Sequence, residues 1–217
     1  MRANVILIAL LLTACASPGG TSSAGIHLKP KELQVSGPYR HKYLGMSFPE
    51  SVGPMMRTDV IQFDAEGADI AANYIAKDRQ LFGTAYAYPI LDKVSSVPAD
   101  FAISAAESDQ QCKRFFDSAA SLAMKQYTGS VVQESRTFSL PQRPNYTGYR
   151  LVFDADRRIP SPGQPNALIK IDGPLTSELY LLCKRGTYWH LKYRLTYARG
   201  AAVQNEIDRW LAAVPTE

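Results

Sequence analysis

Residues 177–197 read SELYLLCKRGTYWHLKYRLTY, and this stretch decides the fold. Two arms rich in Leu, Tyr and Trp flank Arg185-Gly186, where glycine can supply the positive φ that a tight turn needs. The pattern is that of a β-hairpin. In its second arm Trp189, Leu191, Tyr193 and Leu195 alternate with His190, Lys192, Arg194 and Thr196. A period of two puts the first set on a packed face and the second on a face expected to meet water.

Working outward, the same alternation recurs. Residues 130–140 and 146–155 read as strands, and residues 58–77 read as a hairpin turning at Ala65-Glu66-Gly67. Residues 80–90 set Phe82, Thr84, Tyr86 and Tyr88 on one face. The other face carries Leu81, Gly83, Ala85 and Ala87, small enough to let a helix lie close. A short β-prone segment, YLGMSFP at 43–49, opens the folded part. Between the strands the period changes. Over 98–127, Phe101, Ala105, Cys112, Phe116, Ala119, Ala123 and Tyr127 recur at helical spacing, with Pro98 and Asp100 suited to the start and Gly129 to the end. A second, terminal helix places Val203, Ile207, Trp210, Leu211 and Val214 on one stripe, stopped by Pro215. Hairpins joining most neighbours imply a largely antiparallel sheet. With a long central helix and a C-terminal helix upon it, the class is α+β, a layered α/β/α sandwich.

Ahead of this domain the composition differs. Arg2 precedes the apolar run at 5–12, which is about half the ~20 residues that span a bilayer core. That run ends in Leu12-Thr13-Ala14-Cys15, which resembles the bacterial lipobox. The resemblance implies that residues 1–14 are a signal peptide cut before Cys15. It further implies a diacylglyceryl group on the Cys15 thiol and acylation of the freed amine. Two or three chains on one residue hold a protein to a membrane stably, where a single chain does not. Ala16 rather than Asp after the cysteine implies, by resemblance to enteric sorting, the outer membrane facing the periplasm. Residues 15–40, rich in Ser, Gly and Pro, read as the lipidated N-terminus and a flexible tether, and 41–217 as a single domain. The order of strands, long helix, hairpins and Trp-bearing terminal helix resembles the Mog1/PsbP-like fold, whose members serve unrelated roles.

Chemistry is sparsely marked. A net charge of +4 over 217 residues is spread thinly, without the basic block of a nucleic-acid binder. There is no Gly-x-Ser-x-Gly, His-Glu-x-x-His, Gly-x-Gly-x-x-Gly or phosphate-binding loop. The three histidines, His27, His41 and His190, lack metal-ligand spacing, so neither a metal nor a cofactor is implied. With Cys15 lipidated, Cys112 and Cys183 either form a disulfide or remain two buried thiols. Asp154 and Asp156, beside Arg157 and Arg158, read as a solvated, salt-bridged rim.

Two features suit binding. One is the long Pro-rich segment 156–174. The other is the tyrosine-rich face around Tyr86 and Tyr88 and along residues 188–197. Arg157, Arg158, Tyr188 and His190 are the candidate interaction surface. The expectation is a membrane-anchored envelope lipoprotein with a non-enzymatic binding or assembly role toward another envelope protein. The alternatives are a periplasmic enzyme with dispersed site residues, or a small-ligand module with a cavity between sheet and helix.

Overall fold

The computed structural model describes residues 30–89, 102–158, 171 and 173–216. Its decisive element is the hairpin of the opening stretch. The arms are two ten-residue strands, paired antiparallel from Leu175↔Ala198 to Cys183↔His190, and Gly186 at the turn has φ +74°. In chain order the strands are β1 (Lys31–Leu33), β2 (Tyr39–Arg40), β3 (Ser47–Phe48), β4 (Ser51–Val52), β5 (Met55–Gln62), β6 (Ile70–Ala76) and β7 (Leu81–Pro89). Helix α1 (Ala105–Met124) follows, then β8 (Tyr127–Thr128), β9 (Val131–Phe138), β10 (Tyr146–Ala155) and β11 (Arg157–Arg158). The hairpin arms are β12 (Leu175–Lys184) and β13 (Trp189–Ala198), and α2 (Gln204–Ala213) ends the fold.

One large sheet runs β1-β5-β6-β7-β13-β12-β10-β9, with β4 also paired to β5 and every pairing antiparallel. Successive side chains alternate across it, so each face builds its own core. One core gathers Ile70, Ala72, Tyr74, Leu81, Ala85, Leu191, Tyr193 and Leu195 beneath Ile207, Trp210 and Leu211 of α2. The other gathers Leu151, Phe153, Leu179 and Leu181 beneath Cys112, Phe116 and Ala123 of α1. The result is a helix–sheet–helix sandwich of the α+β class.

The small face of β7 does what its sequence suggests, for α2. A Cβ at Gly83 would lie 3.1 Å from the Trp210 ring and 3.0 Å from the Met55 methyl, so the glycine lets the indole settle there without either having to shift. On the opposite face Cys112 and Cys183 form a disulfide, with Cα atoms 5.9 Å apart, that ties α1 to β12.

Three expectations are revised. The helix begins at Ala105, where the Ser104 hydroxyl accepts from the Glu107 amide at 3.2 Å; Pro98 and Asp100 lie outside the described residues. It ends at Met124, because Tyr127 leaves the helix to pair with Arg158. The folded part also starts before residue 41. Lys31–Leu33 pair along β5, and Tyr39–Arg40 pair with Ser47–Phe48. Leu33, Val35 and Tyr39 pack on the α2-side core, and Arg57 donates to the carbonyls of Gly37 and Phe48, both at 2.6 Å, so 31–40 is fastened rather than a tether. Finally, the polar face of β13 is not wet: His190 is 1% and Thr196 3% exposed, because the Tyr88 and Phe115 rings pack on the first and Tyr127 on the second. Residues 1–14, Cys15, His27 and most of the Pro-rich segment lie outside the described residues. Among the described residues, no helix is long and apolar enough to cross a membrane.

Candidate functional site

A helix is about 10 Å across and strands are about 4.8 Å apart, so one helix covers roughly two strands. Helix α1 lies on β10 and β12, where the disulfide holds it. On that face β7 and β13 are left beside the helix rather than under it. There the structure has a cavity of about 350 Å³, within the size range of small-molecule sites.

Its floor comes from alternation on two paired strands. Tyr86 pairs in register with Lys192, and Tyr88 with His190, so tyrosines and cations share one surface. The Lys192 ammonium lies 4.0 Å from the Tyr86 ring centre and 5.3 Å from that of Tyr88. Two residues on, Arg194 also lines the cavity, its Nη1 donating to Gln126 Oε1 at 2.5 Å. Its guanidinium sits 5.2 Å over the Tyr127 ring, so the segment that follows α1 holds it still. Asp69, from the β5–β6 connection, faces these groups, and Phe115 and Leu122 of α1 form the apolar wall. Leu122 is 59% exposed and marks the mouth.

The charges are poorly solvated and unevenly balanced. Burial lowers Lys192 to about 8, with Asp69 working against that shift and Arg194 with it. Burial raises the Asp69 carboxyl to about 6, and the neighbouring Asp64 adds to this while Lys192 opposes it. Burial raises the Tyr86 phenol too, against Arg194 and the more distant Arg158. Three cations, Lys192, Arg194 and Arg158, therefore act on the site against the carboxylates of Asp69 and Asp64, a balance that favours an anion.

Beside the cavity His190, Tyr88 and Phe115 form a triangular ring cluster, with His190 6.0 and 5.6 Å from the other two ring centres and those 5.8 Å apart. Burial pushes its imidazole down to about 3, so it serves as a neutral aromatic slab rather than an acid or base. Among the described residues, neither the buried Tyr88 hydroxyl nor His190 Nδ1 has a hydrogen-bond partner.

The four residues of the candidate interaction surface do not form one surface. Arg157 and Arg158 lie in β11, beyond the Ala155 end of β10, which pairs with Leu175. Tyr188 just precedes β13 and His190 lies at its start, the end of the strand away from the Ala198↔Leu175 pair. His190 is corrected from solvated to buried. Of the four, Arg158 is the one whose charge is felt at the cavity. Asp154 is on a rim, as its position suggests, but its ion-pair partner is Arg199 at 3.4 Å rather than the arginines that follow it. The other notable buried carboxylate, Glu178, accepts from Arg150 at 2.8 Å and from the hydroxyls of Tyr180 and Tyr197. That cluster is satisfied internally and offers nothing to a ligand.

Among the described residues, no group of three or more His, Cys, Asp or Glu could hold a metal ion. No protein-family profile matches the chain, and no curated protein sequence matches it. Any functional reading therefore rests on the geometry and on the lipobox-like residues.

Proposed function

We propose that the folded domain binds a small organic anion with an apolar body, and that Cys15 anchors it by lipid to the bacterial envelope, at the outer membrane. The observation that carries the ligand reading is the cavity itself. It has aromatic walls and two cations on its floor. Sites that hold polar groups in reserve at the expense of solvation are characteristic of binding rather than of stability. The earlier partner-docking reading has less support. Among the described residues, the large exposed hydrophobic side chains are Met56, Leu122, Val131 and Val132, and they do not form a broad patch around the cavity. The anchor reading rests on Leu12-Thr13-Ala14-Cys15 alone.

Calorimetric titration of the full chain in detergent tests the ligand reading. Phenylacetate is expected to bind, while phenylethanol, its neutral counterpart, binds at least tenfold more weakly. Equal affinity for the two would remove the role of Lys192 and Arg194. For the anchor, labelled fatty acid is expected on the wild-type chain and not on Cys15→Ala; membrane retention of the unlabelled variant would contradict it.

A further inference from the structure

The two ends of the large sheet are finished differently. At one end β1 has three residues, of which Lys31 and Glu32 are exposed, a short charged edge of the kind that resists further pairing. At the other end β9 runs eight residues, VVQESRTF, without proline, glycine or lysine. Among the described residues it pairs with β10 alone, and most of its side chains are exposed. Val131 and Val132 are 58% and 47% exposed, two of the four large hydrophobic side chains in that state among the described residues. An edge this long and this β-prone is a template for another strand.

The charges on β9 select the strand that fits. Glu134 and Arg136 share one face of the sheet, where the Arg136 guanidinium donates to Glu134 and Arg150 Nη1 donates to the same carboxylate at 2.9 Å. Ser135 stands exposed between them on the other face. Turned antiparallel about Ser135, the strand is complementary to itself. Ser135 then meets Ser135 of a second copy, Glu134 meets Arg136, and Arg136 meets Glu134. Centring the pair on Glu134 or on Arg136 instead would set like charges directly opposite, which is unfavourable. Gln133 is the extra residue of a bulge against Val152 and Phe153. The paired core is therefore Glu134–Arg136, and beyond it the Phe138 end of one strand runs alongside the exposed valines of the other.

We propose that β9 is the interface of a symmetric dimer, in which two copies of this chain pair these strands antiparallel about Ser135 and join their sheets into one. The same patch serves on both copies, as a twofold axis through the Ser135 pair requires. The Glu134 carboxylate, 35% exposed, accepts from its own Arg150 and meets Arg136 of the second copy across the axis. The cavity is built on β7 and β13, with β12 and β10 between it and this edge, so the dimer does not depend on the ligand reading.

Sedimentation of the full chain, with detergent micelles in large excess over protein, tests this together with cysteine crosslinking. The wild-type chain is expected to be a dimer at micromolar concentration. Arg136→Glu and Glu134→Arg each set like charges across the axis and are expected to weaken the dimer at least tenfold. Mixed together they are expected to restore it, because each charge then meets its opposite. Glu134→Arg also disturbs Arg150, and recovery on mixing separates a lost interface from a damaged fold. Ser135→Cys is expected to oxidise to a linked dimer, since facing Cα atoms lie about 5 Å apart. Thr137→Cys would lie roughly 14 Å from its counterpart and is expected to stay unlinked. A monomeric wild type, a dimer indifferent to both charge reversals, no recovery on mixing, or Thr137→Cys linking as fast as Ser135→Cys would overturn the proposal.

Discussion

The two faces of the sheet are covered by one helix each, yet they are built to different ends. On the α2 face, small residues from β6 and β7 let Trp210 sink to full burial against Tyr74 and Tyr193, with ring centres 5.4 and 5.7 Å away. The space is filled, and the side chains are those that filling requires. On the α1 face the helix is fastened to one half of the sheet by a disulfide, and the other half keeps two tyrosines, two cations and a carboxylate around a void. The second arrangement costs stability, since partly buried charges are unfavourable, whereas among the described residues unpartnered buried polar atoms occur on both faces, Trp210 Nε1 and Tyr193 Oη among them. The contrast supports the proposal that the α1 face carries the ligand site, whereas the α2 face is packed for the fold.

The largest test of that contrast is Trp210→Ala. Truncation should cost about 3–5 kcal/mol in chemical denaturation, as for other buried aromatics, while phenylacetate affinity of the folded protein stays unchanged. A parallel loss of affinity would mean that the faces are not separable. Replacing both Cys112 and Cys183 by serine comes next. Opening a link between residues 71 apart in sequence should cost about 4 kcal/mol on a chain-entropy argument. Here affinity should fall as well, because α1 supplies the cavity wall. The faces would then differ in kind and not merely in degree.

A smaller effect has the opposite sign. The double variant Lys192→Met with Asp69→Asn should unfold about 1 kcal/mol later than wild type, because it removes two poorly solvated charges together. It should also lose phenylacetate binding. Destabilisation by this pair would place it with the structural residues instead.

The smallest effect is in pH dependence. Folding raises Asp69 to about 6 from an ordinary value near 4, so the folded state holds more protons than the unfolded one between those pH values. Stability contributed by this group is therefore present at low pH and lost as pH rises through 6. The advantage of Asp69→Asn over wild type should grow from pH 4 to 6 and be level above. Taking the difference between the two proteins removes the contribution of His190. That group is lowered to about 3 and makes both proteins lose stability as pH falls below 6.5.

Much of this fold is legible locally. The hairpin of β12 and β13, the strand β10 and the stripe of α2 follow from alternation, a turn glycine and helical spacing within a few residues. The start of α1 was also written in the chain, as Ser104-Ala-Ala-Glu107, a capping pattern that an apolar-stripe reading passes over. The fastening of residues 31–40 was less visible, since it depends on Arg57 and on an edge of β5. The candidate site was hardest to read. Tyr86 and Tyr88 stand out as a tyrosine-rich face, but nothing local says that β7 pairs with β13 across some hundred residues. Without that pairing Lys192 and Arg194 are ordinary polar positions of a strand, and His190 looks solvated. Nor does periodicity reveal that α1 stops short of β7 and β13, which is what turns their shared face into a cavity.

The most direct test of the central claim is the map of backbone amide shifts on adding phenylacetate, read by NMR. Shifts are expected in β7 around 84–88, in β13 around 190–194 and in α1 around 115–126, with α2 and β9 undisturbed. Shifts confined to α2 or to the β9 edge, or none at saturating ligand, would contradict the division of labour between the two faces.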